Sequence, residues 1–343
     1  MNPVWQAIAT HESPALLATV VRVVGSAYRR EGAKMLLPQG EGRIGMLSGG
    51  CLEDDVQEQS RGLTAARVLT YDMRSDEDGL WGLNMGCNGL VDVLVEPVGE
   101  VLRAAAAEYV AGRDCTALVV LSPGPLQGRR MLLKADGTVL GSLGDADLES
   151  VALADAQDRG RRPRIYIYGE TSVYIEPVTP PPVLWVVGAG ADAPPLVKAA
   201  AAAGWRVRVV DRRARYADPA RFPEAEAVLH IQPEELVARA GEGAFAVFMH
   251  HNFDHDRDFL TAMAATNARY LGVLGPLRRT QKILETQELP ENVYAPIGLD
   301  LGGEGPEAIA VAVVAELQAV RFGRTGGHLR GKETPLHEDG DRP

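Results

Sequence analysis

Downstream of residue 182 the hydrophobic positions follow two alternating rhythms. Short apolar runs at Val183–Val187, Arg206–Val210, Ala244–Met249 and Tyr270–Leu274 are rich in β-branched and aromatic residues, as fully buried strands are. Between them Leu196–Ala203, Pro233–Arg239 and Arg257–Ala265 carry apolar residues at helical spacing. Strands alternating with helices predict a parallel sheet with right-handed crossovers. A last apolar stretch, Gly305–Val320, has Pro306 in its first turn and predicts a buried helix. Upstream the rhythm is less regular. Ala15–Val24, Ala33–Leu37, Leu90–Glu96, Ala117–Leu121, Arg130–Lys134 and Arg164–Tyr168 have strand character, and Leu52–Arg61 and Glu100–Ala111 read as helices. The run Glu176–Pro182 holds prolines at 177, 180, 181 and 182, which continue neither a helix nor a central strand. The chain is therefore expected to be α/β, with an N-terminal mixed α/β domain (residues 1–178) followed by a Rossmann-like parallel-sheet domain (183–324). Residues 325–343, polar and glycine-rich, are expected to fray. No internal repeat is expected.

Charge narrows the function classes. Lys and Arg number 35 against 46 Asp and Glu, a formal charge of -11, which argues against a general nucleic-acid or anionic-membrane surface. No apolar run approaches a membrane span, and the N-terminus lacks the order of a signal peptide, so a cytoplasmic protein is expected. Three cysteines, Cys51, Cys87 and Cys115, favour free thiols over a disulfide framework.

The most specific local pattern is Val183–Ala193, where Gly188 permits a tight turn, Gly190 lets backbone approach a pyrophosphate and Ala193 takes the third small position. Asp211 closes the second strand as a ribose-hydroxyl acceptor. Pro194 and Pro195 remove two N–H groups near the helix start, and Arg212 and Arg213 offer a ribose phosphate an alternative partner. The unit either binds a nucleotide, NAD(P) included, or serves packing alone. In Ser48–Glu58, Gly49 and Gly50 deliver Cys51 to a helix start, where thiolate is favoured against the opposition of Glu53, Asp54 and Asp55. Cys51 is either a cofactor or molybdenum contact or a small side chain at a turn. Cys87 lies in a second glycine-dense loop, Trp81–Gly89, and Cys115 reads as structural. Arg29, Arg30 and Lys34 form a local basic group suited to phosphate, or a solvated loop. His251, His255, Asp254 and Asp256 offer metal ligands, nucleotide contacts or a helix cap.

In this order the segments Gly25–Met35, Ser48–Glu53, Trp81–Gly89, the turn at Gly188, His251–Asp256, Gly272–Pro276 and Ala295–Gly302 resemble the XdhC/CoxI family, accessory proteins of xanthine dehydrogenase and related molybdenum hydroxylases. The likeness covers most of the chain, and residues 115–175 contribute little. The chain departs from the family pattern at His250, Leu277 and the paired prolines. The resemblance implies a cofactor-binding chaperone more than an enzyme with its own turnover, one that binds molybdenum cofactor as molybdopterin or its cytosine dinucleotide. It would protect the cofactor while a cysteine desulfurase exchanges oxo for sulfur, then insert it into the apo-hydroxylase. In the dinucleotide form the added nucleotide would occupy the Rossmann crevice. A homodimer is expected, from the resemblance and from the apolar helix Ala308–Val320. The alternative is an NAD(P)-dependent oxidoreductase, against which no Tyr-x-x-x-Lys pair accompanies the glycine loop.

Overall fold

The computed structural model describes residues 2–25, 27–40, 42–50, 52–73, 89–157 and 162–331. Cys51, Cys87, the stretch 81–88 and residues 332–343 of the expected tail lie outside the described residues. The chain divides into two compact units, residues 2–180 and 181 onward.

The first unit runs α1 (Pro3–Thr10), β1 (Ala15–Gly25), β2 (Lys34–Pro38), β3 (Ile44–Gly45), α2 (Glu53–Gln59), β4 (Arg67–Asp72) and β5 (Gly89–Pro97). It continues with α3 (Glu100–Val110), β6 (Cys115–Val120), β7 (Arg130–Lys134), β8 (Val139–Gly141), α4 (Ala146–Gln157), β9 (Arg164–Tyr168) and β10 (Thr171–Val178). The strands form two antiparallel sheets, ordered β3-β2-β1-β5-β4 and β8-β7-β6-β10-β9. Element sequence and strand order are the same in both, so the unit contains one αβββαββ motif twice.

The expectation of no internal repeat is thereby corrected, and the sequence carries the repeat once it is aligned on the structure. Lys34-Met35-Leu36-Leu37 recurs as Arg130-Met131-Leu132-Leu133, and Gly45, Leu47, Leu52 and Glu53 recur at the same displacement as Gly141, Leu143, Leu148 and Glu149. The physical reasons recur too. Gly45 and Gly141 both have positive φ, and a Cβ on either would lie about 2.5 Å or less from the backbone oxygen of Lys34 or of Arg130. Met46 N–H and Ser142 N–H donate to those same two oxygens. Each sheet packs one face on its own helix, Leu52 and Val56 beside the first, Leu148 and Ala152 beside the second. The other faces share a core with α1 and α3 in which Leu17, Leu36, Ala117 and Leu132 meet Trp5, Ile8, Leu102 and Tyr109.

Two buried ion pairs cross between the copies. Lys34 of the first bonds both carboxylate oxygens of Glu176 in the second at 2.7 Å. Arg130 of the second forks onto Glu96 of the first. Glu96 and Glu176 each precede Pro-Val near the end of the equivalent strand. Those prolines are tolerated because there the strand is paired on one side only: β10 leaves β9 after Ile175 yet pairs Pro177 with Thr116 of β6. Hence β10 extends to Val178, into the run that reads as a linker.

The second unit comprises β11 (Val183–Val187), α5 (Ala193–Ala202), β12 (Arg206–Val210), β13 (Ala227–Leu229), α6 (Pro233–Ala240), β14 (Phe245–Phe248), α7 (Phe253–Ala264), β15 (Tyr270–Val273), α8 (Leu277–Ile283), β16 (Val293–Tyr294) and α9 (Pro306–Phe322). Its six strands are parallel in the order β13-β12-β11-β14-β15-β16, the doubly wound Rossmann arrangement. The uninterrupted apolar runs follow from burial on both faces. Leu184 and Val186 meet α5 and α9 on one side, whereas Trp185 and Val187 meet α6 and α7 on the other. Ala310, Val313 and Leu317 of α9 pack into this core, and Val311 is exposed.

Candidate functional site

In the first unit the candidate loop joins β3 to α2. Ser48 Oγ donates to Glu53 Oε2 at 2.6 Å and accepts the N–H groups of Gly50 and Leu52. Glu53 is buried and also accepts from Leu47 N and Ser48 N. Burial would raise its pKa, but the bonds from Ser48 and the backbone outweigh it and hold the carboxyl below its ordinary value. Glu53 therefore closes the loop instead of facing a ligand. Glu149 accepts from Leu143 N in the same way in the second copy, where the loop reads Gly144-Asp-Ala-Asp147 and carries no thiol. The frame is common to both copies, and Gly49-Gly50-Cys51 belongs to one alone.

Gly49 and Gly50 are exposed, and Gly50 has φ +112°. The exposed ring of Tyr28 lies over Gly49, where a Cβ would meet it at 3.5 Å. Tyr28, Arg29, Leu47, Ser48 and Met73 line a small, solvent-open hollow. Arg29 and Arg30 have no ion-pair partner among the described residues. Lys34 is different. It is 4% exposed, its ammonium lies between Glu176 and the Trp5 ring, and burial pulls its pKa down against the attraction of Glu176. Of the expected basic group, Arg29 and Arg30 remain open to a ligand, and Lys34 serves the buried crossing pair. Tyr28 and Ser48 were not singled out by sequence. An exposed aromatic beside the arginines was the available signal for Tyr28, whereas the role of Ser48 depends on Glu53, five residues away. Cys115 is buried against Ala105 and Tyr109, and burial pushes its thiol up to about 12, as a structural residue's would be.

In the second unit the residues expected to act together do converge, at the carboxyl ends of β11, β12 and β14 where the strand order reverses. Gly188 has φ +116°, and a Cβ there would lie 2.6 Å from His250 N and from Met249 C, so close strand packing alone demands glycine. Gly190 is not so constrained: a Cβ would meet nothing nearer than His251 Cδ2 at 3.8 Å. His251 has φ +56° and bonds Asp192 through Nε2 at 2.7 Å. Asp192 is the N-cap residue of α5 but caps no N–H, and Pro194 and Pro195 supply none in the first turn. The helix start therefore presents a carboxylate and few donors.

Asp211 is fully enclosed. Oδ1 accepts from Arg213 N and Nε, and Oδ2 from Ala189 N and Arg213 Nη2. Four bonds use the lone pairs of both oxygens, leaving none for a ribose hydroxyl in this arrangement. Burial acts to raise its pKa, but the Arg213 and backbone bonds outweigh it and hold the carboxyl at about 2.

Asp256 is buried between His250 N and Nδ1, both 3.1 Å away, and Arg279 Nη2 at 2.6 Å. His250 Nε2 and His255 Nδ1 are enclosed without a hydrogen-bond partner among the described residues. Asn252 caps α7 by accepting from His255 N. The cap is thus supplied by Asn252 and not by the side chains of His251, Asp254, His255 or Asp256, and among the described residues no cluster of three His, Cys, Asp or Glu is placed to hold a metal. The roles of His250 and Arg279 were not legible from sequence, because they form one unit only across Asp256.

Comparison with known proteins agrees with this division. A family model described as the XdhC Rossmann domain matches residues 184–317, and one described as the XdhC and CoxI family matches 9–72, which falls within the first copy of the repeat. A Bacillus subtilis protein named as a probable xanthine dehydrogenase subunit is 34% identical over 328 residues, 92% of this chain and 96% of that protein. An uncharacterized Escherichia coli protein, YqeB, is 25% identical over 69% of this chain and 46% of its own length. A crystal structure described as a xanthine dehydrogenase from Bacillus halodurans superposes with TM-score 0.78 at 28% identity, covering 96% of this chain and 97% of that one.

Proposed function

Because the chain belongs to the XdhC and CoxI family, we propose that it is a maturation factor that binds molybdenum cofactor, supports its sulfuration and inserts it into an apo-hydroxylase of the xanthine dehydrogenase type. The observation that carries this reading is the likeness, along nearly the whole of both chains, to a protein named as a xanthine dehydrogenase subunit. The cofactor is cargo here, and its chemistry suits the first unit. A planar pterin with a dithiolene and a phosphate asks for an aromatic face, backbone near the ring, cations and soft ligands. Tyr28 over Gly49, the guanidiniums of Arg29 and Arg30, and the thiols that sequence places at Cys51 and Cys87 are those groups. A nucleotide is proposed separately for the second unit, in the crevice beside Gly188, Gly190 and His251. The partners in this reading are the apo-hydroxylase, a cysteine desulfurase and a second copy of the chain.

The test is to express the protein in a cofactor-making host and identify released ligand by mass spectrometry and by the fluorescence of the oxidised pterin. Cys51→Ser should retain less pterin than Cys115→Ser, since Cys115 lies in the core. Equal retention in the two variants removes Cys51 from the site, and absence of pterin from the unmodified protein overturns the reading.

A further inference from the structure

The saturation of Asp211 changes what the second unit can recognise. In a Rossmann crevice the acid after the second strand ordinarily faces ribose hydroxyls. Here it faces Arg213. The guanidinium is gripped on two N–H groups by the carboxylate, and its face lies over the Tyr216 ring, 3.8 Å from the centroid. Of the five N–H groups of a guanidinium, three are then left without a partner among the described residues. The Arg213 side chain is 27% exposed, so this edge reaches solvent. Arg215, exposed and without an ion pair among the described residues, lies over the same ring at 4.9 Å. Arg221 fixes the neighbouring turn by donating to Ala189 O and Gly190 O.

The opposite side of the crevice is built the other way. At the start of α5, Pro194 and Pro195 offer no N–H, and Asp192 adds a carboxylate. Anion affinity therefore lies at the end of β12 and not at the glycine loop. His255 stands in the same field: its pKa is lowered by burial and then by the charges of His250, Arg212 and Arg213, against the opposing charge of Asp211.

We propose that the second unit binds a nucleotide bearing a phosphate monoester on its ribose, held by the outer edge of Arg213 and by Arg215 beside Tyr216, with Asp211 as the positioning residue that aims Arg213. This rests on the reading of the second unit as a nucleotide binder and is independent of what the first unit holds. The shared chemistry is a ribose-borne monoester, which a 2′-phosphorylated dinucleotide and a nucleoside monophosphate both supply. A doubly charged monoester meets a forked, pre-oriented cation with charge-assisted bonds, whereas a free hydroxyl meets no available acceptor.

Calorimetry on the full chain at low salt, with NADP, NAD, cytidine 5′-monophosphate and cytidine as probes, tests this. NADP should bind about ten- to a hundredfold more tightly than NAD, the size of one charge-assisted hydrogen bond. Cytidine monophosphate binding above cytidine by a similar factor would assign the site to mononucleotides as well, and binding of NADP alone would restrict it to the 2′-phosphate. Arg215→Ala, on an exposed side chain that leaves the fold untouched, should remove several-fold of that preference. Arg213→Gln should remove most of it, and Arg213→Lys should restore charge without the fork and recover only part. NAD binding as tightly as NADP, or a preference unchanged in Arg213→Gln, overturns the proposal while leaving a nucleotide site in place. No binding by any probe overturns both it and the nucleotide reading of this unit, and leaves the pterin test of the first unit unaffected.

Discussion

Replacing Asp211 by Asn separates its charge from its shape. The carboxyl is held at about 2 in the folded chain and returns to about 3.9 on unfolding. A folded value below the unfolded one contributes stability that is present above the unfolded value and fades as pH falls toward the folded value. The displacement corresponds to about 2.5 kcal/mol at neutral pH. By linkage about 0.3 kcal/mol of this is lost at pH 4 and about 1 kcal/mol at pH 3. Asn keeps the volume but offers Arg213 one acceptor, and its stability has no such dependence. Urea unfolding of both proteins at pH 7, 4 and 3, monitored by circular dichroism, gives the difference between them at each pH, from which the titration of every other group cancels. That difference should shrink by about 1 kcal/mol between pH 7 and pH 3. A constant gap over this range would show that the four bonds do not hold Asp211 ionised, and the argument for an aimed Arg213 would fall with it.

Glu176→Gln should cost about 3–5 kcal/mol because it strands the Lys34 ammonium, whereas Glu58→Gln, which breaks the exposed pair with Arg61, should cost less than about 1 kcal/mol. Similar losses in denaturant titration would contradict the burial of the crossing pair. Gly188→Ala should lower soluble yield and thermal stability sharply, since both the positive φ and the backbone of His250 oppose a Cβ, and Gly190→Ala should change stability by less than about 1 kcal/mol. In sedimentation, a mass twice the 36.8 kDa of one chain is expected, and a single-chain mass across micromolar concentrations would exclude the homodimer.

The parallel sheet was legible because strands buried on both faces are continuous apolar runs: Val183–Val187 and Arg206–Val210 stand where the sequence puts them. The antiparallel half was read less completely. β10 was hidden by Pro177, whose tolerance depends on β9 not reaching past Arg164 opposite Ile175, which is a property of the neighbour and not of the strand. The repeat is not legible in the sequence because its first strands differ in length, eleven residues in β1 and six in β6, and the β2-to-α2 segment is what keeps its spacing. At the site, glycines announced themselves through the turns they permit. Asp211 was found but its occupation was not, since Arg213 two residues on serves as well for a solvent arginine as for a buried partner. His250, Asp256 and Arg279 form one hydrogen-bonded unit that no local window contains.

The crossed pairs Lys34–Glu176 and Arg130–Glu96 have the form of an isologous contact, in which one residue meets a second and the counterpart of the second meets the counterpart of the first. Such reciprocity belongs to two-fold dimers, and here both partners are carried by one chain. Each copy contributes the cation its twin must neutralise, so neither can be removed without leaving the other with a buried, unmatched charge. A chain cut after the first copy would expose Lys34 without Glu176 and Glu96 without Arg130. Carriage on one chain also lifts a constraint: two identical chains must carry identical loops, whereas two copies within one chain need not. One loop reads Gly49-Gly50-Cys51 and the other Asp145-Ala146-Asp147, each next to a glutamate that accepts from its own loop, so the two copies of one frame carry different chemistry.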